Sequence, residues 1–529
     1  MNDQLTHMTK QVTAGKLTRR EFMGKAAALG VSAAMASTLF ADAARAAGPN
    51  KGGTMKLGML GGESTNTLDP APAATQVPGM VLRLYGDQIV DVAPDGSINS
   101  RLAESVEGSE DATTWNFKVR KDVEFHNGKT VTAEDFLRTI ERHANEDSKS
   151  GALGVLQGIK SMKAEGDVFT VEMENPTADL PYLMADWHLV VQPDGGFDDP
   201  NAGIGTGPYI IEVDEPGVRH TFKKNPNYWD DSLGHVDEVE VLVINDATAR
   251  MAALQSGQVH MVNSVDPKVA DLLGRAPNLD VRSVSGRAHY IFPMHCNTAP
   301  FDNNDLRLAL KYAVNREEMV EKILRGFGSV GNDIPVNAAY PLFDESIEQR
   351  TYDPAKAAEH YKKSGHDGSP IVLHVSDAAF AGAVDAAQLF QQSAAAAGIN
   401  IEIERAPSDG YWSEVWNVKP FCASYWSGRP VQDQMYTTAY LSSADWNDTR
   451  FNVPEFDELL FAARGELDEG KRKEMYSKMA MMVRDQGGLI APMFNDFVDG
   501  VSKNVQGYED DPNGFLMYSW APIKCWLDA

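Results

Sequence analysis

Thr114-Trp115-Asn116-Phe117-Lys118-Val119 alternates polar and apolar side chains, and the turn His126-Asn127-Gly128 separates it from Thr132-Ala133-Glu134-Asp135-Phe136. Alternation with a period of two is the pattern of a half-buried strand. Thr132, with an acid three residues on, has the spacing of a capping box that opens an amphipathic helix. His126 reads as a turn residue rather than a metal ligand. One stretch thus carries strand, turn and helix in order, and similar elements extend outward from it. Toward the N terminus, Gly52 to Leu60 reads as a buried strand, a polar loop runs from Gly61 to Thr67, and Ile89-Val90-Asp91-Val92 leads into the turn Pro94-Asp95-Gly96.

Toward the C terminus, Gly203-Ile204-Gly205-Thr206-Gly207-Pro208-Tyr209 carries the glycines of a phosphate loop without its frame. Pro208 leads into the alternating Tyr209-Ile210-Ile211-Glu212-Val213, and no helix opens to face a phosphate. The glycines are read as relaxing the backbone at a strand start, where the chain crosses between lobes. Strand (Val239 to Val243), helix (Thr248 to Gln255, ending at Gly257) and strand (Val259 to Val262) form an α/β unit. Leu306, Leu310, Ala313, Val314, Met319 and Ile323 mark one helix face between Leu306 and Leu324. Strand Ile371 to Val375, helix Ala379 to Ala397 ending at Gly398, and strand Ile399 to Ile403 point to a second α/β lobe. The tail after Ala491 is strand-like and is expected to pack back on an earlier lobe.

The first 46 residues read as an export signal. Lys10, Lys16, Arg19 and Arg20 precede a weakly apolar run from Ala26 to Phe40, and Ala44-Arg45-Ala46 is a small-x-small cleavage site. Thr18-Arg19-Arg20-Glu21-Phe22-Met23 looks like the twin-arginine address. The apolar run falls short of the ~20 residues a spanning helix needs, and no other stretch supplies them. No cysteine precedes Cys296 to accept a lipid tether. The expected product is soluble, unanchored and periplasmic.

The whole chain carries a formal charge of −27, and the leader removes six cations but three anions, so the mature part is more acidic still. Such a balance disfavours nucleic acid and anionic membrane surfaces, which require clustered Lys and Arg. About 480 mature residues exceed a single core, which stops growing near ~250–300, so at least two lobes are expected. Cys296, Cys422 and Cys525 lack CxxC spacing, which argues against a disulfide scaffold and a zinc site. They are read as free thiols, with one bridge between two of them left open.

The ordered motifs resemble the extracytoplasmic solute-binding proteins of family 5, the oligopeptide, dipeptide and nickel binding proteins of ABC importers. The resemblance rests on Leu68-Asp69-Pro70, on Trp115 to Gly128 running into Thr132-Ala133-Glu134-Asp135-Phe136, on Gly205-Thr206-Gly207-Pro208-Tyr209, on Asn225-Pro226-Asn227-Tyr228-Trp229, and on Asn297 to Arg316 with Pro300-Phe301-Asp302. It implies an α/β bilobal periplasmic binding protein (type II-like, cluster C) with an additional small domain. The implied bounds are 1–46 for the signal, 47–92 with 205–296 and 497–529 for lobe I, 93–204 for the small domain, and 297–496 for lobe II. It further implies a monomer without cofactor or enzymatic activity that closes on a small-molecule ligand and delivers it to ABC transporter permease subunits.

In peptide-binding members a tryptophan is followed three residues later by an aspartate that holds the peptide ammonium. The matching stretch is Tyr425-Trp426-Ser427-Gly428-Arg429-Pro430-Val431-Gln432-Asp433, with Arg429 at the aspartate position. A guanidinium suits carboxylate or phosphate, so Arg429 is expected to grip an anionic ligand group or to form a structural salt bridge. Asp433 is expected either to restore a cation contact or to orient Arg429. Tyr411, Trp412, Trp416, Tyr425 and Trp426 concentrate rings suited to a cleft wall or to core packing. The resemblance places Thr65 and Asn66 of the polar loop, and His289-Tyr290, as further cleft contacts.

No HExxH, GxSxG elbow or P-loop occurs, and Asp198-Asp199 and Asp230-Asp231 read as solvated loops. Three functions remain in order: binding of a peptide or similar anion-bearing solute, binding of a chelated metal or other non-peptide nutrient, and an exported hydrolase.

Overall fold

A computed structural model of the chain describes residues 3–13, 17–29, 31–32, 35–36, 39–40, 48–73, 75–145, 147, 149–156, 158–407, 411–444 and 446–528. In the N-terminal stretch, helices Asp3–Thr13 and Arg19–Ala28 pack their apolar sides together through Met8, Val12, Phe22 and Ala26. Thr18 and Glu21 close a capping box at the start of the second. The cleavage stretch Ala44-Arg45-Ala46 and the Arg19 side chain lie outside the described residues.

A nine-stranded mixed sheet forms the backbone of the molecule. Strand Thr54–Met59 sits near its centre, parallel to Glu238–Val243 on one side and Met261–Val262 on the other. Met55 and Leu57 are fully buried, while Lys56 between them is half-buried and pairs with Glu240 at 3.0 Å. Two long strands, Leu279–Pro293 and Leu489–Ser502, pair antiparallel from Leu279↔Ser502 to Pro293↔Leu489 and carry the sheet from lobe I into lobe II. Leu279 lies in a lobe I core with Leu254 and Val498, whereas Phe292 lies in the lobe II core with Phe390 and Ile490. The register breaks between Ser285 and His289 and again between Tyr290 and Phe292, midway across.

Lobe II contains the parallel pair Ile371–Val375 and Ile401–Arg405, with helix Ala383–Ala395 between them in sequence. A helical layer follows: Gln432–Ala439, Pro454–Gly465 and Glu469–Gln486 enclose Tyr436, Phe456 and Tyr476. The stretch Leu306 to Leu324 is two helices, Asn304–Tyr312 and Arg316–Lys322, rather than one. Asn315 ends the first turn sequence by accepting the Glu318 N–H, so a new N-terminus starts where the apolar spacing alone runs on.

The small domain is a four-stranded antiparallel sheet in the order Ala103–Gly108, Thr114–Val119, Val168–Met173, Ile159–Glu165. Helix Ala133–Ala144 covers it, with Phe136 edge-on to Phe169 at 6.2 Å. The Thr132–Asp135 capping box forms as its spacing predicts. The chain passes between lobe I and this domain twice, near Tyr85 and near Gly205, and the two passages touch. A Cβ on Gly205 would lie 2.3 Å from the Tyr85 carbonyl oxygen, and one on Gly207 2.5 Å from the Tyr85 carbonyl carbon. These two glycines therefore serve close backbone approach, not the relaxation read from the sequence; only Gly203 of the three has positive φ.

Alternating cations and rings line the same junction. Tyr518, Arg83, Trp520, Arg101, Trp229 and Arg120 stack in succession at 5.4, 4.6, 4.8, 4.7 and 4.7 Å. Asp91 pairs with Arg83 at 3.3 Å and accepts the Trp520 indole N–H at 2.8 Å. Asp87 pairs with Arg101 at 2.6 Å and accepts the Trp229 indole N–H at 3.0 Å. Each buried guanidinium of this ladder thus has a carboxylate.

Candidate binding site between the lobes

The short strand Ser424–Trp426 is the edge of the main sheet in lobe II, placing Trp426 opposite His289 and Tyr425 opposite Tyr290. The chain then turns at Gly428, where φ is +84° and a Cβ would sit 2.4 Å from Arg287 Cβ. Only glycine meets both demands. This close contact sets Arg429 beside the point where the long strands change lobes.

Arg429 is half-buried. Its backbone N–H donates to the Tyr340 hydroxyl at 3.0 Å, its Nη1 to the adjacent Gly428 carbonyl at 2.7 Å, and its guanidinium lies 5.6 Å from the Trp426 ring. Burial lowers its pKa, and Tyr340 and Asp186 oppose that shift. Among the described residues no carboxylate reaches ion-pair distance of it. Arg250, Arg307 and Arg450 also lack a carboxylate, but each donates to two or more backbone carbonyls. Arg429 has a single side-chain acceptor, from its own neighbour.

Arg287, on the first long strand, is its companion. It is buried, donates to Ala339 O at 3.0 Å on the lobe II side and to Asn513 Oδ1 at 2.6 Å on the lobe I side, and lies 5.3 Å from the Tyr340 ring. It too has no carboxylate at ion-pair distance among the described residues, and burial lowers its pKa. Asp186 stands on the small-domain side, its Oδ1 accepting from His188 Nδ1 at 2.6 Å. Nearby, Leu516 to Ser519 run through four successive non-glycine positive φ values and aim Tyr518 at Arg83.

His289 is fully buried and its Nδ1–H donates to Arg287 O at 3.0 Å, with burial holding its pKa near 4. It is therefore neutral at physiological pH. Trp426 packs with Trp416 and Trp446 at centroid distances of 6.0–6.4 Å over Asp448, whose carboxyl is pushed up to about 7 by burial. Tyr425 and Ser427 are exposed, and Tyr290 stacks on Phe380 at 4.2 Å. Tyr411 lies in the lobe II core and donates to Ala423 O at 2.8 Å, while the Trp412 side chain lies outside the described residues. Asp433 pairs with Arg464 at 3.1 Å, not with Arg429. Thr65 is exposed and Asn66 accepts the Glu63 N–H at 2.6 Å, in a loop against the Gly217 turn of lobe I. No described hydrogen bond, ion pair or ring contact joins that loop to Arg429.

Sequence reasoning passed over Arg287, Tyr340 and Asp186, which come from three distant segments. It also passed over the pair Arg472–Asp179, 3.0 Å apart, which links the helical layer of lobe II to the small domain. Beside it the Ala178 N–H donates to Arg464 O at 2.8 Å. Burial raises the Asp179 carboxyl to about 6 against the pull of Arg472. Among the described residues no three His, Cys, Asp or Glu side chains converge as metal ligands, and no helix is long and apolar enough to cross a membrane.

Residues 97–448 match the model of the bacterial extracellular solute-binding proteins, family 5. The chain belongs to this family. A glutathione-binding protein GsiB from Salmonella choleraesuis is 25% identical over 484 residues, covering 88% of this chain and 93% of that one. The DppA periplasmic binding protein of Helicobacter pylori, solved with the peptide STSA, superposes with a TM-score of 0.75 at 21% identity, over 91% of this chain and 99% of that one. AgaA from A. tumefaciens R10, solved with agropinic acid, gives 0.75 at 23% identity, over 90% and 99%. The bilobal α/β architecture expected from the motifs is therefore the family's. Its members are the solute-binding components that work with ABC permeases.

Proposed function

We propose that this family 5 protein captures a small peptide or similar anion-bearing organic solute between its lobes and that Arg429 holds the anionic group. One observation carries the reading: a half-buried guanidinium beside Trp426 and Tyr340 has, among the described residues, no carboxylate at ion-pair distance and one local acceptor. A partly desolvated charge without a counter-charge is open to one, and a ligand carboxylate supplies it with charge-assisted hydrogen bonds. The glutathione and agropinic acid named for two relatives both fit such a group. The solute is bound without bond making or breaking, by closure of the lobes about the long strands. The leader exports the chain through the twin-arginine route, and the mature protein acts as a periplasmic monomer.

The test titrates the purified protein with glutathione, with di- to tetrapeptides and with nickel–histidine, following thermal unfolding and heat of binding. An anionic organic solute should stabilise the wild type, and Arg429→Gln should weaken it about 10–100-fold, the worth of a lost charge-assisted hydrogen bond. Undiminished binding by that variant removes Arg429 from the site. Binding of the nickel complex alone favours the chelated metal, and turnover of a probe favours a hydrolase.

A further inference from the structure

At the far end of the cation–ring ladder from Tyr518, a cavity of about 300 Å³ opens between the small domain and lobe I. That is the lower end of the range of small-molecule sites and far above the ~30 Å³ of one water. Arg101 and Arg120 come from the small domain, while Trp229, Asp230, Trp520 and Lys524 come from lobe I. Three cations thus meet one acid in a chain where acids outnumber cations 75 to 48, so chance pairing would leave acids without partners, not cations.

Only Arg101 of the three has carboxylates at ion-pair distance among the described residues. Asp87 neutralises Arg101 at 2.6 Å from behind, and Asp230 adds a second contact at 3.5 Å. The other Asp230 oxygen is occupied by Ser232, which donates its N–H at 3.2 Å and its hydroxyl at 2.5 Å. Arg120 uses Nε on Arg101 O at 2.8 Å, and no described residue takes its two Nη groups. Lys524 sits 5.1 Å from the Trp520 ring, with no carboxylate at ion-pair distance among the described residues. Arg101, only 4% exposed, has an Nε without a hydrogen-bond partner.

We propose that this cavity is a second binding site, for a small oxyanion such as a phosphate or a carboxylate, separate from the cleft between the lobes. Arg120 and Lys524 hold the anion from opposite domains, with Trp229 and Trp520 as the walls. Occupancy therefore ties the small domain to lobe I.

The probes are inorganic phosphate and citrate, added to the full chain at ionic strength matched with sodium chloride, because screening alone shifts surface electrostatics. Thermal unfolding and calorimetric titration should show stabilisation beyond the chloride control. Arg120→Gln with Lys524→Gln should weaken the anion about tenfold or more, while Arg429→Gln leaves it unchanged. A response to phosphate alone or to citrate alone identifies the preferred oxyanion. Stabilisation no greater than chloride gives, or retained in the double variant, overturns the site; loss in Arg429→Gln assigns the anion to the cleft instead. Should the double variant unfold, Lys524→Gln alone is used with fluorotryptophan-labelled protein. Anion-dependent shifts of the Trp229 and Trp520 signals support the site, and unmoved signals overturn it.

Discussion

The ladder at the small-domain junction and the segment around Arg429 both set arginines against aromatic rings, and they differ in one respect. In the ladder, Arg83 and Arg101 each face a buried aspartate that also receives an indole N–H from the ring stacked on that arginine. Between the lobes, Arg287 and Arg429 have rings and carbonyls but no carboxylate among the described residues. Stacking alone does not separate architecture from recognition. The whereabouts of the counter-charge does, because a balanced site is finished when the chain folds and an unbalanced one is finished by a solute.

Arg101→Met is the strongest way to break this contrast. It keeps an apolar stem between Trp229 and Trp520 but strands Asp87, and urea unfolding should show a loss of about 3–5 kcal/mol. A loss under about 1 kcal/mol would mean the ladder is not structural. Gly428→Ala forces a Cβ onto Arg287 at positive φ, with an expected cost of about 1–3 kcal/mol and displacement of Arg429, read as weakened solute binding. Stability unchanged within error would show that the close approach does not constrain the site.

Asp448 sharpens the contrast from the opposite sign, as a buried carboxyl without a cation at ion-pair distance among the described residues. Its pKa, raised from 3.8 to about 7 by burial, means the folded chain keeps a proton that the unfolded chain releases. The resulting stability is fully present below about pH 4 and is lost as pH rises through 7, at no more than ~1.4 kcal/mol per pH unit. Asp448→Asn should flatten that part of the profile; an unaltered slope would place the titration elsewhere. The smallest effect is expected for Arg429→Gln without solute, within ~0.5 kcal/mol of wild type. A large loss there would make Arg429 a structural residue like Arg101.

The strands and the capped helix of the small domain were legible because period and capping are local: Thr114–Val119 is observed at the bounds its alternation marks. The break at Asn315 was also written locally, as Asn with Glu three residues on, but an unbroken apolar spacing masked it. Arg429 was found by its position in a family motif. Its surroundings were not, since Arg287, Tyr340 and Asp186 come from separate segments, the nearest of them, Tyr340, 89 residues away in sequence. The partner of Asp433 was equally hidden, because Arg464 approaches from the next helix and no spacing marks that packing.

The paired long strands limit how the halves of the molecule can move. Two antiparallel segments laced by hydrogen bonds on either side of a register break resist sliding and pulling apart, and leave bending and twist at residues 285–292 as the soft coordinates. With Arg287 rooted where the register breaks and bonded to both sides, any change of angle between the halves alters the spacing of its contacts. The mechanical pivot and the electrostatic one thereby coincide.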